Sequence, residues 1–196
     1  KVSEIYTFEY IATEQPRIRD IQGEAHTSPY NNQQVKDIEG IVTQIGYNFG
    51  NGSYKGFFIQ DPQPDQDEKT SEGIFVFTAD MSKAPKVGDL VKISGIVSEY
   101  NEGQTTNLTS TQISLSSIVT ISRDNALPEA IVLGKDGRLI PSETIDSDSF
   151  DVFNPEQDAI DFYESLEGML VELPTPTIIS PYWTSGSGNH LTYNIP

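Results

Sequence analysis

Five carboxylates stand between two apolar runs in the segment GFFIQDPQPDQDEKTSEGIFVF, which extends from Gly56 to Phe77. Carboxylate oxygens are the ligands that Ca²⁺ prefers, and the ion accepts about six to eight of them in flexible geometry. The candidate calcium ligands are the four acids at the start of this loop, Asp61, Asp65, Asp67 and Glu68. The spacing is not that of an EF-hand, so a solvated hairpin tip remains the alternative.

The aromatic side chains on either side of this loop could bind bases. Side chains alternate between the two faces of a strand, and the aliphatic face of GFFIQ and GIFVF suits a buried interior. The rings of the other face would then point outward on adjacent strands, where each stacked base contributes about 1–3 kcal/mol. The predicted nucleic-acid-binding residues are Tyr54, Phe58, Phe75 and Phe77 for stacking and Lys55 and Lys92 for phosphate. The alternative is that a helix or the N-terminal segment covers the rings.

Five segments of alternating apolar and polar residues position these side chains. They lie between Val35 and Arg123, are rich in β-branched residues and contain internal glycines such as Gly95, where we expect a bend. The pattern predicts a mainly β protein with an OB-fold-like five-stranded barrel, and a sandwich is the alternative. We expect a helix-bearing connector and the start of further β structure beyond it.

This pattern divides the chain into four parts. They are an N-terminal segment at 1–34, the OB-like barrel at 35–123, a connector at 124–154, and a helix plus strands at 155–196 that could begin a second β domain. The helix is expected to start at Pro155, with Asn154 as its N-cap and Gly168 near its end. The start at Lys1 rather than Met leads us to expect a processed piece of a longer protein.

The composition limits the function classes. The net charge is −17, and all 12 Lys and Arg precede residue 139, whereas ten acids follow Arg138. Such a surface repels phosphate at long range, which counts against a dedicated nucleic-acid binder. The absence of Cys excludes disulfides and Cys-ligated zinc, and no apolar run approaches the ~18 residues of a membrane span, so we expect no membrane partner.

Catalytic motifs do not stand out. The two histidines, His26 and His190, lie far apart and in no metal-ligand or triad motif, and the sequence has no P-loop, G-x-S-x-G or H-E-x-x-H. His26, in HTSPY, is expected to bond its own backbone within a turn. The residues therefore favour a binding or accessory module that is not an enzyme by itself.

The strings DIQGEAHTSPYNNQQVKDIEGIVTQI, GFFIQDPQPDQDEKTSEGIFVFT, KVGDLVKISGIVSEYNEGQTTNLTS, LPEAIVL and LEGMLVEL occur in this order. Over roughly Asp20 to Leu173 the sequence resembles the OB-fold-like region that precedes the catalytic domain of secreted and cell-wall-anchored bacterial nucleases. In those proteins an endonuclease/exonuclease/phosphatase or calcineurin-like phosphoesterase domain follows. The resemblance implies an extracellular location, a role with DNA or RNA, and divalent metal at the catalytic domain.

These inferences predict a non-catalytic, nucleic-acid-binding or substrate-positioning module of an extracellular bacterial nuclease. The expected partners are single-stranded DNA or RNA and the downstream catalytic domain of the same protein. Calcium is the candidate cofactor. Two alternatives stay open: a structural spacer that packs against its own catalytic domain, and a carbohydrate- or cell-wall-binding module that uses the same aromatic residues with calcium.

Overall fold

The computed structural model describes residues 15–46, 55–82, 84–101 and 103–176, and this part of the chain is mainly β, as predicted. The helices among the described residues are short, and none is long and apolar enough to cross a membrane. The elements are, in chain order, α1 (Ile18–Gln22), β1 (Gln34–Ile45), β2 (Gly56–Gln60), β3 (Gly73–Phe77), β4 (Leu90–Tyr100), β5 (Ser110–Ser122), β6 (Ile131–Val132), α2 (Ala159–Glu164) and β7 (Val171–Glu172).

Strands β1 to β5 form one sheet, and all five were predicted from the sequence. The hydrogen-bonded order is β1-β2-β3-β5-β4, and β4 pairs with β1 again. Strand β3 runs parallel to β5, whereas the other pairs are antiparallel. A separate two-stranded sheet is formed by β6 and β7, which run parallel.

Register shifts bend the long strands. The register of β1 against β2 shifts between Val42 and Gln44, and the register of β4 against β5 shifts between Ser94 and Gly95. The bend predicted at Gly95 is therefore confirmed. A Cβ atom there would overlap the carbonyl oxygen of Ser114, so a glycine is needed for the two strands to approach at the bulge.

The main core lies on the aliphatic face of the sheet. Phe57 and Ile59 of β2 and Ile74 and Val76 of β3 are at most 1% exposed, whereas the rings at the alternate positions are half-buried, so the predicted two-residue alternation is confirmed. Ile18 and Ile21 of α1, both 0% exposed, belong to the same core. Part of the N-terminal segment therefore packs into the sheet that was predicted to start at residue 35.

A second, smaller core joins the connector to α2. Its buried members are Leu133, Phe162 and Leu166. The prediction that a helix starts at Pro155 is wrong: α2 starts at Ala159, and Asn154 O accepts the N–H groups of Gln157 and Asp158 in a turn. The first helical amides, of Ala159 and Ile160, donate to carbonyls of the connector, and this anchoring sets the start of the helix.

Candidate functional site

The aromatic pair predicted for β2 and β3 exists. Phe58 and Phe75 are direct cross-strand partners, with ring centroids 4.9 Å apart and ring planes inclined at 52°. Both rings are half-buried and lie on the face opposite the main core. An aromatic cross-strand pair stabilises a sheet by about 0.2–1 kcal/mol.

The ring of Phe75 lies directly over two glycines. A Cβ atom at Gly46 would come within 2.6 Å of Phe75 Cε2, and one at Gly56 would come within 2.6 Å of Phe75 Cζ. Gly56 also has φ +134°, a conformation that other residues rarely adopt. The two glycines therefore make room for the ring, which holds Phe75 against the backbone and gives it a structural role.

Phe58 borders a small cleft of about 260 Å³, which it shares with Thr43, Gln44 and residues 168–170. The segment 167–170 is fixed to the ends of β2 and β3: Leu170 N donates to Gln60 Oε1 at 2.8 Å, and Ser71 Oγ donates to Glu167 O at 2.6 Å. This segment therefore forms one wall beside the Phe58 ring.

The other predicted nucleic-acid-binding residues differ in position. Phe77 is half-buried at the end of β3, Lys55 is exposed just before β2, and Tyr54 lies outside the described residues. Lys92 pairs with Glu39 Oε1 at 3.1 Å. On β1, Lys92 pairs with Glu39, whereas Phe58 pairs with Gln44. These two β1 residues are five positions apart, or roughly 16 Å at about 3.3 Å per residue. The structure therefore does not bring Lys92 to the aromatic pair.

Arginines from outside the loop hold the acidic loop, residues 61–72. Asp61 is 1% exposed, and its two carboxylate oxygens accept hydrogen bonds from the Arg17 guanidinium, with Nε to Oδ2 at 2.8 Å. Asp61 Oδ1 also accepts the N–H of Gln63 at 2.8 Å. The Asp61 carboxylate is therefore a structural partner of the residue that precedes α1.

A second arginine, Arg19 of α1, pairs with Asp65 at 2.9 Å and with Glu72 at 3.2 Å. Glu72 is 3% exposed, and its Oε1 also accepts the N–H of Asp65 at 2.8 Å. Burial raises the pKa of Glu72 above its ordinary value, and the Arg19 charge acts in the opposite direction. Helix α1 and the acidic loop are thus joined through charge-assisted contacts.

The third arginine comes from the connector. Arg138 Nε lies 3.4 Å from Glu68 Oε2, and its guanidinium also donates to Glu68 O and Ser165 Oγ and stacks 4.8 Å from the Phe162 ring centre. Asp67 Oδ1 accepts the N–H of Lys69 at 3.0 Å. Calcium binding by the four predicted acids stays a prediction, but three of the four already have an arginine partner.

Sequence reasoning missed a buried acidic cluster around His26. His26 Nε2 lies 2.7 Å from Asp161 Oδ1, and Nδ1 lies 3.4 Å from Glu164 Oε2. The prediction that His26 bonds its own backbone in a turn is therefore wrong, because its partners lie on α2. The pairing joins positions 135 residues apart, and no local pattern signals such a contact.

Two glutamates, Glu164 and Glu167, have altered acidity. Burial raises the pKa of Glu167 to about 8, and the nearby charges of Glu164 and Glu99 act in the same direction. Burial also raises the pKa of Glu164, against the attraction of His26. Glu167 Oε2 accepts the N–H of Thr111 at 3.2 Å. Protonation, rather than an arginine, removes the charge of Glu167 near neutral pH.

A wider cleft, of about 1350 Å³, lies between the acidic loop and the connector. Carboxylates dominate its charged lining, which includes Asp65, Asp67, Glu129 and Asp136. Such a lining repels phosphate, so this cleft does not provide a path for a nucleic-acid backbone.

Similarity to a known family covers only the C-terminal part of the chain. Residues 132–190 match a domain of unknown function, DUF8508, which is less than a third of the sequence. A comparison with curated proteins found no match. The matched region begins within β6 and includes α2 and β7, so it overlaps the second core and the wall beside Phe58.

Proposed function

We propose that the sheet is an OB-fold-like barrel and that the chain is a non-catalytic binding module. The support is the strand arrangement: five strands, a pairing order that returns to β1, and a non-sequential β3-β5 neighbour pair. A five-stranded Greek-key barrel has these properties, and OB-folds bind oligonucleotides on the face of strands 2 and 3. Phe58 and Phe75 lie on these two strands.

The ligand of this face is a single strand of DNA or RNA, whose bases stack on the Phe58–Phe75 pair. The half-buried cross-strand pair with rings 4.9 Å apart is the observation that carries this proposal. Every base has an aromatic face, so such a platform accepts many sequences. Lys55 is exposed next to β2, where it can contact a phosphate.

Stacking rather than charge would dominate the binding. Arg17, Arg19, Arg123 and Arg138 are all in ion pairs with carboxylates of the same chain. A strand held through few free cations releases few counterions, so the affinity should depend only weakly on salt. We expect log K to fall against log salt with a slope no steeper than about −1.

The module belongs to an extracellular bacterial nuclease and presents substrate to a downstream catalytic domain. The basis for this setting is the resemblance of the ordered motifs between Asp20 and Leu173 to such nucleases. Chemistry would then be the task of the downstream domain, and the aromatic face would position the strand. The chain by itself would not cleave nucleic acid.

The test is an anisotropy titration of labelled single-stranded DNA and RNA with the 196-residue chain and its variants. Phe58→Ala should weaken binding about fivefold or more, since one base–ring stack contributes about 1–3 kcal/mol. Tyr163→Ala is the control, because Tyr163 is an aromatic residue 52% exposed on α2, away from the sheet. Unchanged affinity in Phe58→Ala would show that the stacking platform is wrong.

The second candidate is a spacer that packs against its own catalytic domain. It is favoured by the half-burial of Phe58 and Phe75, which leaves only part of each ring for a ligand. If the unmodified chain binds neither DNA nor RNA, this candidate replaces the first. Addition of the separately produced catalytic domain should then protect residues around Phe58 from hydrogen exchange.

A further inference from the structure

Three aspartates meet where the connector approaches α2. One carboxylate oxygen from each of Asp146, Asp148 and Asp158 lies within 4.8 Å of the other two. Asp146 and Asp148 belong to the loop DSDSF, residues 146–150, and Asp158 immediately precedes α2. We call these three residues the aspartate cluster.

Asp158 is the unusual member of the aspartate cluster. It is 1% exposed, and although its Oδ2 accepts the hydroxyl of Ser147 at 3.0 Å, its Oδ1 has no hydrogen-bond partner. Asp158 also occupies the N-cap position of α2, yet its side chain makes no capping hydrogen bond. A buried, unpaired carboxylate oxygen is costly, so a positive partner is expected at this point.

The described protein residues supply no such partner. None of the ion pairs found in the described ranges includes Asp146, Asp148 or Asp158, and no Lys or Arg follows Arg138 in the sequence. Three carboxylates this close together repel one another unless a cation or protons intervene. The ligand chemistry is purely oxygen, which excludes the nitrogen and sulfur sites typical of zinc.

We propose that the aspartate cluster binds a calcium ion. Calcium accepts irregular sets of carboxylate, hydroxyl and carbonyl oxygens, whereas magnesium requires near-ideal octahedral geometry and keeps several waters. Backbone N–H groups of the same loop hold two of the carboxylates: Asp146 Oδ1 accepts those of Asp148 and Ser149, and Asp148 Oδ1 accepts that of Asp151. The calcium ion bridges the connector and the start of α2. This location is separate from the acidic loop between β2 and β3.

The experiment titrates Ca²⁺ into the chelator-treated 196-residue chain by calorimetry, with Mg²⁺ in a parallel series. Asp158→Asn removes one charge, and its amide oxygen can still accept the Ser147 hydroxyl. Asp148→Asn also removes one charge, but its single amide oxygen can replace only one of the two carboxylate oxygens that accept the N–H groups of Asp151 and Val152. Asp136→Asn is the matched control, because it makes the same substitution at an exposed aspartate outside both the acidic loop and the aspartate cluster. Far-UV circular dichroism compares the folding of all four proteins.

We expect one calcium ion to bind, with at least about tenfold weaker affinity in Asp148→Asn and Asp158→Asn, because even outer-shell changes cost about 10–100-fold. Asp136→Asn should bind as the unmodified chain does, and Mg²⁺ should bind more weakly than Ca²⁺. The proposal is overturned if the unmodified chain binds no calcium, if the two cluster variants keep full affinity, or if Asp136→Asn loses as much affinity as they do. Equal affinity for Mg²⁺ would overturn the choice of calcium. If one of the two cluster variants does not fold, the calcium affinities of the other variant and of Asp146→Asn test the proposal.

Discussion

The acidic loop and the aspartate cluster are both rich in carboxylates, but they differ in the positive charges that surround them. In the acidic loop, Arg17 holds Asp61, and two further arginines hold its other paired acids. In the aspartate cluster, three carboxylates face one another, and no described lysine or arginine forms an ion pair with any of them. A count of carboxylates therefore says little about a cation site, because the neighbouring positive charges decide whether any negative charge remains to be neutralised.

The difference follows from the uneven charge distribution of the sequence. All 12 Lys and Arg lie within residues 1–138, and the acidic loop folds against α1 and the connector, which supply three of them. The aspartate cluster lies in the part of the chain that has only acids. Arginines of the same chain can therefore neutralise the acidic loop, whereas the aspartate cluster needs a cation from outside the chain.

Glu167 shows a third way for a carboxylate to lose its charge, which is to keep its proton. Its folded-state pKa of about 8 lies above the ordinary value of 4.5, so the folded chain binds more protons than the unfolded chain between these two values. This contribution to stability is complete below pH 4.5 and is lost as the pH rises to 8.

The largest predicted effect concerns Glu167→Gln. The free energy of unfolding of the unmodified chain should fall by up to about 1.4 kcal/mol for each pH unit between 4.5 and 8 on account of this one group. Glutamine cannot ionise, so the variant should lose this slope and be more stable than the unmodified chain at pH 8. Urea denaturation at several pH values measures it. Glu172→Gln, which changes an exposed acid on β7, should leave the slope as it is.

The next effect tests the arginine partner of the acidic loop. Arg17→Met leaves Asp61, with a 2% exposed side chain, without its cation, and we expect a loss of about 2–3 kcal/mol in the free energy of unfolding. The effect is smaller than for a fully buried pair because the Arg17 side chain is 34% exposed. Lys36→Met is the control, since the exposed Lys36–Asp37 pair should contribute about 0–1 kcal/mol. Equal losses in both variants would contradict the structural role of Arg17.

The smallest effect has the opposite sign. In chelator, Asp158→Asn should stabilise the chain by about 0.5–1 kcal/mol, because it removes one of three mutually repelling charges. In calcium, the same variant should be less stable than the unmodified chain, because it has lost a ligand. Thermal unfolding with and without calcium measures both. A variant that is destabilised equally in both conditions would show that Asp158 is held by protein contacts alone.

The local sequence pattern was enough to predict the strands, but it did not predict which distant residues contact one another. The period-two alternation of GFFIQ and GIFVF is a property of neighbouring residues, so the sequence alone was enough to predict β2, β3 and the outward rings of Phe58 and Phe75. The start of α2 was missed because a Pro at position 155 is compatible with a helix, and only the contact of Ala159 with the connector decides otherwise.

The charged contacts could not be predicted because they join distant positions. Arg17 meets Asp61 across 44 residues, and His26 meets Asp161 across 135. Several acids in this sequence are equally plausible partners for each cation, and composition does not rank them. The four acids predicted as calcium ligands and the three of the aspartate cluster are therefore indistinguishable by type and differ only after folding.

The contact between Gly73 and Gly168 has a consequence for the order of folding. A Cβ atom at Gly73 would lie 2.6 Å from Met169 N, and the adjacent bond from Ser71 to Glu167 spans 96 positions. Closing so long a loop costs more conformational entropy than forming a hairpin, so the sheet should form before the turn at residue 168 docks on it. A side chain at position 73 would thus mainly accelerate unfolding, because it disturbs a contact that forms after the rate-limiting barrier.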